Sequence, residues 1–175
     1  MFKSITSLYN IFNNKELDLL VKEANLLAQS DKIKINDFWV KEVTQYSKPI
    51  YMYNINPTDK SFKIINKKSK ELFGIEPDSI FYYFWGPGSY IPWHDDAYTH
   101  SALTIYLNED WDIKYGGLFQ YEVNGEVVTK SPILNTGVHQ VGGINHSTTI
   151  QSPESPLRKS IQCWFNLKKT KKTVI

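Results

Sequence analysis

One cysteine, Cys163, is all the chain contains. An internal disulfide is therefore excluded, as is a cysteine-cluster metal site, so any bound metal must be held by nitrogen and oxygen. No apolar run is long enough to cross a bilayer, and the N-terminal stretch MFKSITSLYNIFNN has a lone lysine and no continuous apolar block of the kind that directs secretion. A soluble, cytoplasmic protein is expected. Excess charge is scarce too: the formal net charge is +2, and much of the lysine surplus sits in Lys168, Lys169, Lys171 and Lys172. Residues 168–175 read as a solvated basic tail rather than a nucleic-acid surface. Internal repeats and linkers are absent as well, so one domain is expected over residues 1–167.

What is present supports one core. Of the 175 residues, 41% are hydrophobic and 14% aromatic. The first part, residues 1–75, reads as helical support. Asn13 and Glu16 form a capping pair ahead of Leu17, Leu20, Val21, Ala24, Leu27 and Ala28, which predicts a surface helix over residues 14–29. Short strands are predicted at Phe38–Thr44 and Pro49–Tyr53. Asn56 and Pro57 open a second helix, whose apolar positions Phe62, Ile65, Leu72 and Phe73 lead to a stop at Gly74.

From Ser79 onward the pattern changes to short strands, at 79–85, 101–107, 117–123, 126–129, 131–135, 145–150 and 158–167, with Asn124-Gly125 marking a hairpin. This predicts an α+β, mainly β protein: a double-stranded β-helix, or jelly roll, over residues 79–167, with the N-terminal helices packed on its larger sheet.

The stretch FYYFWGPGSYIPWHDD, Phe81 to Asp96, carries the first chemical signal. Side chains of an extended chain alternate faces, so His94 and Asp96 point to one side and Asp95 to the other. Two imidazoles and one carboxylate on one face of an iron(II) ion leave the opposite face open, the arrangement of non-haem oxygenases. His146, after Gly142-Gly143-Ile144-Asn145, supplies the second imidazole and is expected from the wall of the barrel opposite His94. Arg158 opens the last strand, R-K-S-I-Q-C-W-F. If it points into the barrel it needs an anion, and a dicarboxylate that chelates the metal with its other end would meet its planar fork of donors.

Taken together, W-G-P-G-S-Y-I-P-W-H-D-D, T-I-Y-L-N-E-D-W, Y-G-G-L-F, N-H-S and R-K-S-I-Q-C-W-F resemble the iron(II)- and 2-oxoglutarate-dependent dioxygenases of the prolyl 4-hydroxylase type, over about half the chain. The resemblance implies that His94, Asp96 and His146 bind iron and that Arg158 meets the distal carboxylate of 2-oxoglutarate, helped by Tyr106 and Gln162. It further implies dioxygen as oxidant, ascorbate as a supporting reductant, and hydroxylation of a C–H bond with release of succinate and carbon dioxide. Where relatives carry a tyrosine before the loop glycine this chain has Trp85, with Tyr83 on the same strand face, and the choice between the two stays open. Ser152-Pro153-Glu154-Ser155-Pro156 reads as an inserted turn before the arginine.

A peptidyl proline is the substrate expected from the resemblance, with Trp93, Tyr98, His100, Trp111, His139 and Trp164 as contacts at the mouth. A free amino acid or small metabolite stays open. A nucleic-acid base is disfavoured, because Trp164 stands where relatives of that branch carry a second arginine. A non-catalytic ligand-binding jelly roll is the remaining alternative.

Overall fold

The computed structural model describes residues 4–37, 39, 41–96 and 100–166. In chain order the elements are β1 (Ser4–Tyr9), α1 (Asn14–Ala28), β2 (Lys34–Ile35), α2 (Lys41–Thr44), β3 (Ile50–Asn54), α3 (Lys60–Phe73), β4 (Ser79–Trp85), β5 (Ile91–His94), β6 (His100–Tyr106), β7 (Phe119–Val123), β8 (Glu126–Lys130), β9 (Thr136–Val141), β10 (His146–Thr148) and β11 (Arg158–Asn166). The strands form a seven-stranded antiparallel sheet in the order β1-β9-β6-β11-β4-β3-β2 and a four-stranded sheet in the order β5-β10-β7-β8. This is an α+β fold dominated by a double-stranded β-helix.

Strand β11 lies between β6 and β4 and divides the molecule into an outer and an inner side. On the outer face, Ile161, Cys163 and Phe165 join Ile80, Tyr82 and Phe84 of β4 and Leu103 and Ile105 of β6. Against them pack Leu20, Val21, Ala24 and Leu27 of α1 and Ile65 of α3. This is the main core, built where helical and strand periodicities present apolar faces to each other. The capping box of α1 is complete: Glu16 N–H donates to Asn13 Oδ1 at 3.0 Å and Asn13 N–H to Glu16 Oε2 at 3.2 Å.

Strands β1, β2 and β9 form where the sequence reading has none, and β1 and β2 extend the larger sheet from within the part expected to be helical support; three predicted elements also differ. Residues 41–44 are helical, not strand, with Gln45 N–H donating to Lys41 O at 2.7 Å; Phe38 lies outside the described residues. The apolar side chains of that segment signal burial, as Trp39 and Val43 pack on an inner cluster, rather than pairing. Helix α3 begins at Lys60 instead of Asn56, because Asp59 Oδ2 accepts from Asn56 N–H at 2.7 Å and holds residues 56–59 in a turn. Residues 131–135 form a turn in place of a strand: Pro132 has no N–H to pair, Ile133 N–H donates to Ser131 O at 2.9 Å, and Asn135 is left-handed at φ 58°. The strand follows at β9, which pairs with both β6 and β1. Among the described residues no helix is long and apolar enough to cross a membrane.

His139 of β9 points outward, its ring 4.2 Å from that of Phe73 and edge-on to Phe165 at 6.2 Å. Burial pushes its pKa down to about 4. Between the unfolded value of about 6.5 and that folded value, the unfolded chain binds a proton that the folded one refuses. Stability is therefore present above about pH 6.5 and falls toward pH 4, by on the order of 2 kcal/mol once partial exposure is allowed for. His139→Leu is expected to flatten this part of the pH dependence in denaturant melts.

Candidate metal centre

His94 and His146 stand directly opposite each other on β5 and β10, their ring centroids 4.3 Å apart. They share one sheet, so the expectation of opposite walls is corrected. Between His146–Thr148 on one strand and His94–Ile91 on the other the register slips by one residue. Such a bulge re-aims side chains, and here both Ile91 and His94 line the same cavity. Each ring is fixed in the same way: His94 Nδ1 lies 2.8 Å from Pro92 O and His146 Nδ1 2.8 Å from Ile144 O. A carbonyl only accepts, so both Nδ1 atoms carry the proton and both Nε2 lone pairs are left for a metal.

Asp96 follows the end of β5 and completes the group. One donor atom from each of His94, Asp96 and His146 lies within 4.8 Å of the others, with Asp96 Oδ2 3.7 Å from His146 Nε2. Burial holds His146 below its usual pKa, an effect the Asp96 carboxylate opposes and His94 reinforces. A neutral, lone-pair-bearing imidazole is the form that ligates. Asp95, two strand positions from Trp93, is exposed and lines no part of the cavity. Two imidazoles and one carboxylate on one side of an open space suit non-haem iron(II).

The other end of the cavity is built around Arg158, the chain's one arginine among 20 basic residues. It is only 2% exposed. Its guanidinium lies 4.8 Å from the centre of the Trp85 ring and 5.1 Å from that of Tyr106, and its Nε and Nη1 have no hydrogen-bond partner among the described residues. The Tyr106 hydroxyl and Trp85 Nε1 are equally unsatisfied. Cation–π contact returns about 2 kcal/mol of a desolvation cost of several kcal/mol. Glu154 does not pair with the guanidinium; burial lowers the Arg158 pKa and only Tyr106 opposes this. A buried cation with two idle donors between aromatic plates has the donor geometry that a carboxylate would match.

Strand register orders the inner face from this closed end to the mouth. Arg158 is opposite Trp85, Ser160 opposite Tyr83 and Tyr106, Gln162 opposite Phe81 and Thr104, and Trp164 opposite Ser79 and Ala102. Ser160, buried and the next position toward the mouth after Arg158, is not singled out by the sequence, although its period-two spacing from Arg158 marks it; Gln162 stands one step further out. Of the two aromatic candidates, Trp85 covers the arginine. Tyr83 instead stacks on Trp39, at 5.1 Å and 11°, in a second, wider groove of about 450 Å³ that reaches Asp96. Phe81, His100 and Trp164 line that groove too.

The remaining mouth candidates lie elsewhere. Trp93 is 44% exposed and outside both cavities, because the bulge turns its neighbours inward. Trp111 donates from Nε1 to Gly116 O at 3.1 Å and backs the arginine from behind Gly117. His139 is on the helix-bearing side of the sheet. Tyr98 lies outside the described residues, as does the tail at 168–175.

No protein-family model and no curated protein sequence matches the chain. Solved structures do. A Pseudomonas putida prolyl-4-hydroxylase is 16% identical over 94% of this chain and 92% of its own, with a TM-score of 0.74. A Trichoplax adhaerens prolyl hydroxylase, solved with a hypoxia inducible factor peptide fragment, is 14% identical over 94% and 84%, with a TM-score of 0.82. The epimerase SnoN of nogalamycin biosynthesis, alpha-ketoglutarate dependent, is 10% identical over 94% and 78%, with a TM-score of 0.70. The fold is thus the double-stranded β-helix of the prolyl 4-hydroxylase-like dioxygenases. Within it, this chain places the two histidines of a His-x-Asp…His triad on the smaller sheet, with Asp96 just past the end of β5, and a buried arginine on the larger sheet.

Proposed function

We propose that the chain is an iron(II)- and 2-oxoglutarate-dependent dioxygenase that hydroxylates a C–H bond, with a peptidyl proline as its substrate. The observation that carries the co-substrate reading is Arg158: a buried guanidinium, idle at Nε and Nη1, at the closed end of the cavity whose open side holds the triad. Nε2 of His94, Nε2 of His146 and the Asp96 carboxylate hold the metal. Arg158 receives the distal carboxylate, the Tyr106 hydroxyl donates to it, and Ser160 and Gln162 line the path between. When bound, iron(II) with 2-oxoglutarate and dioxygen supplies the oxidising power, and the co-substrate leaves as succinate and carbon dioxide. The chain's own work is orientation and exclusion of water: Trp85, Tyr106 and Phe119 wall the deep end, while Trp39, Phe81, Tyr83 and Trp164 offer apolar faces of a size and chemistry that suit a pyrrolidine ring.

Incubating the purified chain with iron(II), 2-oxoglutarate, and either proline-rich peptides or free proline tests this reading. Succinate formation coupled to oxygenation of a prolyl residue, located by mass spectrometry, is expected. Coupled turnover with free proline or a small metabolite alone would move the substrate toward the second reading, which the likeness to the SnoN fold supports; no succinate with any substrate would sink the proposal.

Gly117 gives an independent check on the arginine end. It is left-handed, φ 61°, and a Cβ there would lie 3.0 Å from Arg158 Cδ, 3.0 Å from Gln151 Cγ and 3.3 Å from Trp111 Cζ2. Gly117→Ala therefore adds about 1–2 kcal/mol of backbone strain and pushes the guanidinium off its seat. Weakening of 2-oxoglutarate binding by about tenfold or more is expected, with metal affinity unchanged, as read by paired calorimetric titrations.

A further inference from the structure

We infer that Gln140 is the positioning residue of the metal centre: from the larger sheet, it holds Asp96 in its ligating orientation before any metal arrives. This rests on the metal-binding reading of the triad. The two histidines need no such help, since each is fixed by its own Nδ1–H on the carbonyl two residues earlier. Among the described residues Asp96 has no equivalent. It lies beyond the end of β5, where strand pairing no longer fixes the chain, and Gln140 Nε2 donates to its Oδ2.

Gln140 is 8% exposed and faces inward from β9, which belongs to the seven-stranded sheet, whereas both histidines belong to the four-stranded one. The amide therefore ties the triad across the two sheets. Its nitrogen also lies 3.5 Å from His146 Nε2. Both neighbours are acceptors: the Asp96 Oδ2 that the amide meets, and His146 Nε2, whose ring carries its proton on Nδ1. The amide must accordingly present its NH₂ end, whose two hydrogens match two acceptors. Without it, a carboxylate and two lone-pair nitrogens would converge with no donor between them among the described residues, leaving the carboxylate free to turn toward solvent. A bound metal would share the His146 Nε2 lone pair, leaving the amide to orient the carboxylate.

The test is a titration of the metal-free full chain with cobalt(II), an air-stable stand-in for iron(II), followed by its visible absorption. Gln140→Met, close in shape and lacking a donor, is expected to lose about 10–100-fold in cobalt affinity. Val138→Ala is the control: it removes buried volume from the same strand and face, so it should lower stability while keeping cobalt affinity near that of the parent. A second readout is the ring ¹⁵N spectrum of the metal-free chain, in which the His146 Nε2 resonance should move in Gln140→Met while that of His94 stays. Equal cobalt affinity in Gln140→Met and the parent would overturn the role of Gln140 and leave the metal site standing, as would an equal loss in Val138→Ala. A parent chain that binds no cobalt would remove the metal reading and this inference with it.

Discussion

Replacing His146 by alanine is expected to abolish metal-dependent turnover and to weaken metal binding by more than about 100-fold, beyond the range typical for groups one shell further out. His94→Ala and Asp96→Ala should do the same. The triad has three donors and no fourth His, Cys, Asp or Glu joins the group among the described residues, so none can substitute. Asp95→Ala separates this from a general loss of negative charge. Asp95 is next in sequence to both His94 and Asp96 but exposed, and its loss should leave metal affinity within a few fold of the parent. Isothermal titration of the four variants checks it. Loss of binding in Asp95→Ala with retention in Asp96→Ala would mean that the wrong carboxylate has been placed in the site.

The second large effect concerns Arg158. Truncation to alanine should cost about 2–5 kcal/mol in 2-oxoglutarate affinity, because the distal carboxylate would then be buried without its partner. At 1.4 kcal/mol per decade this is roughly thirty- to several-thousand-fold. Metal affinity should change little, since Arg158 and the triad occupy opposite ends of the cavity. Lys159→Ala is the matched control. Its Nζ donates to Asn25 Oδ1 at 2.6 Å, on the helix-bearing face, so co-substrate affinity should survive. Arg158→Met should show the opposite sign in a different measurement: by removing an unpaired buried charge it should stabilise the metal-free chain by about 1–4 kcal/mol while abolishing the protection that 2-oxoglutarate gives against thermal unfolding. A variant more stable than the parent and blind to the co-substrate would show that this charge is kept for binding and against folding. Equal, small losses in Arg158→Ala and Lys159→Ala would move the carboxylate receptor elsewhere.

The parts of this site that were legible in the sequence are those set within one strand. Period two places Arg158 on one face and Lys159 on the other, and it places Trp85 with Tyr83, as the structure does. What was not legible depends on pairs of strands. The bulge that turns both Ile91 and His94 inward is a property of the register between β5 and β10, and neither segment announces it alone. A strand expected at 131–135 leaves residues 136–141 without alternation, which puts His139 at the mouth and gives Gln140 no place in the site. With the strand at β9, one step of the same alternation sends His139 to the helices and Gln140 to the metal centre. Trp39 had no local pattern, because its partners Tyr83 and Trp85 are remote in sequence.

The ladder along β11 has one more consequence, for kinetics. Arg158 lies at the blind end and Trp164 at the mouth, with Ser160 and Gln162 between them. A guest seated between Trp39 and Trp164 closes the way to the guanidinium behind it. On the proposed reading the molecule that engages Arg158 must enter first and leave last. Steady-state patterns should then be those of a compulsory sequence, in which a substrate-like inhibitor is uncompetitive against 2-oxoglutarate and excess substrate, bound too early, slows turnover.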